Sequence, residues 1–118
     1  MTDALSLTEL RQTALARARS GDWSGAAAAL RTVLADTPTD LGSLLLLGDV
    51  SHSGGDTPSA SDAYRAALSL AAQAPNLPAP VQAGLQRAQA RLADYASDYA
   101  ARLDGLIPPQ HRSARFDQ

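Results

Sequence analysis

Gly21–Pro38, GDWSGAAAALRTVLADTP, is the stretch from which the rest of the chain is read. Its Gly21, Asp22, Ala26, Ala29, Arg31 and Leu34 return 34 residues on as Gly55, Asp56, Ala60, Ala63, Arg65 and Leu68. Upstream, Leu10 recurs as Leu44 and Ala14 is answered by Gly48. That period, between matched small and apolar positions, is the spacing of a helix–turn–helix solenoid, whose units bury their apolar faces on one another. The expected fold is all-α, an α-α superhelix of two helical hairpins closed by a long C-terminal helix.

Composition agrees with an all-helical chain. Apolar residues make up 45% of it and aromatic ones 4%, with alanine, the best helix former, dominating. A length of 118 residues is one domain's worth and is short for most enzymes. All cations are arginine and all acids but Glu9 are aspartate. A net charge of -2 argues against a general nucleic-acid binder, which would show a basic face. Without cysteine there is neither a disulfide framework nor a thiolate metal site. No basic stretch followed by an apolar run opens the chain, and apolar runs such as Leu44 to Leu47 are far too short to span a bilayer. A cytoplasmic module without membrane attachment is expected.

Taken in order, residues 1–5 are expected to fray. Ser6-Leu7-Thr8-Glu9 reads as a capping box, followed by Leu7, Leu10, Ala14 and Ala18 on one helical stripe. Gly21 supplies a left-handed turn and Asp22 caps a second helix, from about Trp23 to Ala35. Thr37-Pro38 stops that helix. Asp40 is expected to cap a third, Leu41 to about Ser53. Gly54-Gly55-Asp56-Thr57-Pro58 reads as a turn with a threonine cap, leading into a fourth helix from Pro58 to about Gln73. The repeats thus span about 7–40 and 41–75. After the stiff loop Pro75-Asn76-Leu77-Pro78-Ala79-Pro80, Gly84 is the sole interior breaker before Leu106, so one long helix follows. Val81, Leu85, Ala88, Leu92, Tyr95, Tyr99, Leu103 and Leu106 form its apolar stripe. The steps of three and four also fit a coiled coil, but covering the last repeat is the favoured use, with an overhang from Tyr99. Asp98 and Arg102 read as a solvated pair on the outer face. Residues 108–118 read as a flexible polar tail.

The pattern resembles the tetratricopeptide repeat family, whose units carry a Gly-Asp-aromatic turn, a small residue after it and a closing proline, here Gly21-Asp22-Trp23, Ala26 and Pro38. Leu47-Gly48 would be that family's paired large and small residues at a helix crossing. Repeat one has Thr13-Ala14 there, and Arg17 where a tyrosine is usual, so it is a degenerate copy. In that family the first helix of each unit lines the concave side. The resemblance therefore implies a partner face of Arg11, Leu15 and Arg19 from repeat one with Leu45, Asp49 and His52 from repeat two. Two arginines suit an acidic or carboxylate-ended protein segment. A solvated inner face with no partner of its own is the alternative.

No catalytic residue is found. Asp49 and His52 share a helix face and Asp56 follows, but zinc sites normally draw on more histidine or cysteine, so no metal or other cofactor is expected. The Gly54-Gly55 pair lacks the lysine and further glycine of a phosphate loop. Trp23, Tyr64, Tyr95 and Tyr99 fit core packing better than a base-stacking surface.

The order of parts also looks like the N-terminal region of bacterial aspartyl/asparaginyl β-hydroxylase-like proteins. There, tetratricopeptide-type helices precede a long helix and an iron- and 2-oxoglutarate-dependent oxygenase domain. QAGLQRAQARLADYASDYAARLDGLI and Ser113-Ala114-Arg115-Phe116 look like the lead-in to such a domain. No His-x-Asp motif is present, since His52 is followed by Ser53-Gly54, so no catalytic residue carries over. The expected function is a non-catalytic protein-interaction or domain-docking module. The alternative is the helical region of such an oxygenase, with a downstream domain of the same polypeptide as its partner.

Overall fold

A computed structural model describes residues 6–106. The expected frayed N-terminus, the polar tail with His111, and Ser113-Ala114-Arg115-Phe116 lie outside the described residues. Among the described residues every regular element is a helix: α1 Leu7–Arg19, α2 Trp23–Asp36, α3 Leu41–Ser53, α4 Thr57–Ala71 and α5 Ala79–Leu106. Each helix packs on the next, and α5 lies against α3 as well as α4.

Local chemistry sets the boundaries. Ser6 Oγ accepts from the Glu9 amide and Glu9 Oε1 from the Ser6 amide, both at 3.1 Å, which closes the capping box ahead of α1. Gly21 and Gly55 turn the chain at φ +83° and +79°, a region L side chains avoid. One residue later Asp22 Oδ1 accepts from the Gly25 amide at 3.0 Å, and Asp56 Oδ1 from the Ser59 amide at 3.2 Å. The repeated Gly-Asp pair is thus the same turn made twice.

Two caps differ from the expectation. Asp56, not Thr57, caps α4, because Thr57 already lies in the helix and Pro58 follows it inside the first turn. Asp40 stands at the N-cap of α3 but makes no side-chain cap bond. Its carboxylate instead accepts from Arg11 and from Ser43 Oγ, since a bond from a guanidinium outweighs one from a neutral amide.

The core is built in two adjoining clusters. Ala14, Ala26, Ala29, Leu30, Leu47 and Val50 belong to the first; Leu44, Leu45, Ala60, Tyr64, Ala67 and Ala88 belong to the second. Leu34 packs against both. Leu30 and Val33 are fully buried, worth roughly 1.5–3 kcal/mol each relative to exposure. Ala26 and Ala60 have no exposed surface, so a small side chain lies at each equivalent position after the turn. Gly48 is where α3 admits the Tyr64 ring, because a Cβ there would stand 2.3 Å from Tyr64 Cε1.

Candidate interaction surface

Leu45, Asp49 and His52 occupy one face of α3, separated by about one turn each. That face is where α5 lies. Leu45 is buried against Gly84, at which a Cβ would come within 3.0 Å of Leu45 Cδ1. The glycine that reads as a breaker in the sequence is the point of closest approach between α5 and α3. One turn along, Asp49 accepts from Tyr64 Oη at 2.7 Å, from Arg87 Nη2 at 2.7 Å and Nε at 3.1 Å, and from Arg91 Nη1 at 3.1 Å. Arg91 Nη1 also donates to Tyr64 Oη at 2.6 Å. One carboxylate thereby gathers groups from α4 and from two successive turns of α5. At the end of α3, His52 Nδ1 lies 2.6 Å from Tyr95 Oη, with the two rings tilted by 34°.

The environment shifts the tyrosines and one arginine. Burial, followed by the hydrogen bond to Asp49, pushes the Tyr64 hydroxyl up to about 12. Desolvation likewise raises Tyr95. The hydrogen bond to Asp49 holds the Arg87 guanidinium above its ordinary value. All three groups therefore keep their usual protonation at neutral pH, and the hydrogen bonds to Asp49 clamp α3, α4 and α5 together.

The equivalent face of α1 is arranged differently. Arg11 donates through Nε to Asp40 Oδ2 at 2.9 Å and to Ser43 Oγ at 3.2 Å, and through Nη2 to the same Asp40 oxygen. Burial works to raise the Asp40 carboxyl. The hydrogen bonds from Ser43 and Arg11 and the arginine's charge outweigh it and hold that carboxyl below the usual range. Arg11 thus ties α1 to the start of α3. Leu15 is 38% exposed. Arg19 is exposed too and has no hydrogen-bond or ion-pair partner among the described residues.

Of the six residues assigned to a partner face, the structure gathers Leu45, Asp49 and His52 under α5 and ties Arg11 to Asp40. It leaves Leu15 and Arg19 open, one turn apart. Tyr64, Arg87, Arg91 and Tyr95 belong to the same contact, and the sequence reading missed the polar part of their role. A signal for two of them was present: Arg87 and Arg91 are one helical turn apart beside the apolar stripe of α5, on the side that faces Asp49.

The chain matches no family model, no curated protein and no solved structure.

Two of the notches in the described surface lie beside residues already named. One, of about 200 Å³, lies between α2 and α3 and is lined by Trp23, Ala27, Arg31, Val50, Ser51 and Asp56 among others. Ser51 Oγ is buried there with no hydrogen-bond partner. The other, of about 300 Å³, is lined by His52, Thr57, Tyr95, Asp98, Tyr99 and Arg102. Among the described residues no cluster of three or more histidine, aspartate or glutamate side chains could hold a metal. Asp56 is engaged in its cap and His52 is turned to Tyr95. No described helix is long and apolar enough to cross a membrane.

Proposed function

We propose that this chain is a tetratricopeptide-like protein-interaction module, without catalysis of its own, whose open partner strip is Leu15 and Arg19 on α1 with Arg11 at its edge. The observation that carries this is the contrast between two equivalent faces. On α3, Leu45, Asp49 and His52 hold an amphipathic helix of the same chain, α5, through an apolar contact and an arginine–carboxylate cluster. On α1, Arg11 stands 34 residues before Leu45, and Leu15 the same distance before Asp49. Among the described residues no helix covers Leu15 and Arg19 on this second face, and its charge is reversed. Where α3 offers a carboxylate to arginines, α1 offers arginine to carboxylates. Two consecutive helical pairs with the same Gly-Asp turn support the repeat reading, and α5 then closes the second pair as a terminal helix.

An amphipathic segment with acidic side chains fits the strip, because the guanidinium fork matches carboxylate geometry. A random peptide library screened against the full chain should enrich acidic sequences with at least one large apolar residue. Their affinity should fall at high salt and should fall about tenfold or more with Leu15→Asp or Arg19→Asp. Enriched peptides indifferent to both substitutions would place the interface elsewhere. Recovery of basic peptides would refute the charge argument.

A further inference from the structure

The last turns of α5 run past the cover of α3 and α4 with their apolar side chains bare. Tyr99, Leu103 and Leu106 are 64%, 42% and 78% exposed, although they continue the stripe whose earlier members, Val81, Leu85, Leu92 and Tyr95, pack on the second core cluster. Beside them lies the notch lined by His52, Thr57, Tyr95, Asp98, Tyr99 and Arg102. Asp98 and Arg102 stand one turn apart on this face, yet neither has an ion-pair or hydrogen-bond partner among the described residues. The solvated pair expected between them is not formed. In water its small gain does not offset the cost of fixing two side chains.

We propose that this end of α5 is a self-association surface that pairs antiparallel with the same surface of a second copy. The observation that points to a second copy is self-complementarity. A two-fold contact requires each group of a patch to meet its complement on the same patch. Asp98 and Arg102 lie two residues either side of the level of Ala100 and on the same flank of the helix. An axis crossing at that level sets each Asp98 against the second copy's Arg102, so the pair is made twice. On the opposite flank the same operation lays Tyr99 beside the second copy's Tyr99 and Leu103. Leu106 then reaches the second copy's Tyr95, at the mouth of the notch, where α3 begins to cover α5. The bare stretch of one copy is therefore as long as the bare stretch of the other.

Three apolar side chains per copy make a small interface, below the size of a permanent dimer. Association should accordingly be weak and concentration-dependent.

Sedimentation equilibrium on the full chain tests this. The wild-type mass should climb from monomer toward dimer between micromolar and millimolar concentration. Leu103→Asp should hold it at the monomer. Asp98→Arg and Arg102→Asp should each weaken association about tenfold or more, because the axis makes every reversed charge meet its like twice. The helical circular dichroism of all three variants should stay at the wild-type level, since the changed side chains are exposed. The decisive arm mixes the Asp98→Arg chain with the Arg102→Asp chain. The mixture should associate although neither chain does so alone, an outcome that pairing within one helix cannot produce. A wild-type chain monomeric across the whole range would overturn the proposal. So would association that ignores both reversals, or a mixture that stays monomeric.

Discussion

A methyl group at position 48 would stand 2.3 Å from Cε1 of Tyr64, and an aromatic ring with no exposed surface has nowhere to move. Gly48→Ala should therefore cost roughly 1–3 kcal/mol through overpacking, read as a lower urea midpoint. The same change at Gly105, where a Cβ meets nothing within 4 Å, should be neutral or stabilising, because alanine is the better helix former. Equal midpoints for the two variants would mean that α3 and α4 do not cross there. The ring that needs Gly48 also carries the most shifted hydroxyl. Burial and the hydrogen bond to Asp49 raise Tyr64 from 10.0 to about 12. A raised group stabilises the fold fully below its unfolded value, and that contribution is lost as pH rises through the folded one. Stability should thus decline between about pH 10 and pH 12, the window set by this shift. Tyrosinate absorbance should lose its last-titrating component in Tyr64→Phe, while the raised Tyr95 still titrates above an ordinary tyrosine. If that variant titrates as late as the wild type, the most shifted hydroxyl belongs to another tyrosine.

The pairing of α5 with α3 and α4 combines apolar contacts from Val81 to Tyr95 with the Asp49 cluster. Removing it would leave Leu45 and the wall around Tyr64 facing water, together with a carboxylate that has lost both guanidinium partners. A chain ending at Pro78 should aggregate or lose far more helix signal than the deleted residues account for. A truncated chain that remained monomeric and equally stable would make α5 an independent arm. The existence and limits of the helices were legible in the sequence, because caps, left-handed glycines and stripe spacing are local chemistry. That α5 covers the second helical pair was legible as well. Its polar contact with α3 was not, because a stripe shows that a helix face must be covered without saying which charged groups beside it find partners. Asp49 and His52 read as groove residues because polar side chains on a helix face look alike whether they meet water or an arginine from far along the chain. The cap at Asp40 was misread for a similar reason, since the pull of Arg11 comes from another helix.

Across the whole molecule α3 and α4 both contribute to the two core clusters. Leu47 and Val50 of α3 belong to the first and Leu44 and Leu45 to the second, while α4 gives Ala63 to the first and Ala60, Tyr64 and Ala67 to the second. It is α3, however, that packs on α2, α4 and α5 together. Opening it disrupts everything else, whereas α1 is packed on one side and the described residues of α5 beyond Tyr95 are exposed. Hydrogen-exchange protection should accordingly peak in α3 and fall away toward both ends. Acid should make that gradient asymmetric. Asp40 links α1 to α3 through Arg11, and its carboxyl is held below the ordinary value in the folded chain. A depressed carboxyl stabilises above its unfolded value, and the stabilisation drains away as pH falls through the folded one. Below the ordinary carboxylate range, then, the amides of α1 should lose protection before those of α4. Arg11→Ala should lower α1 protection at neutral pH and remove most of its extra acid sensitivity. Were α1 and α4 to open together at every pH in both proteins, the Arg11–Asp40 link would not be what couples the first helix to the rest.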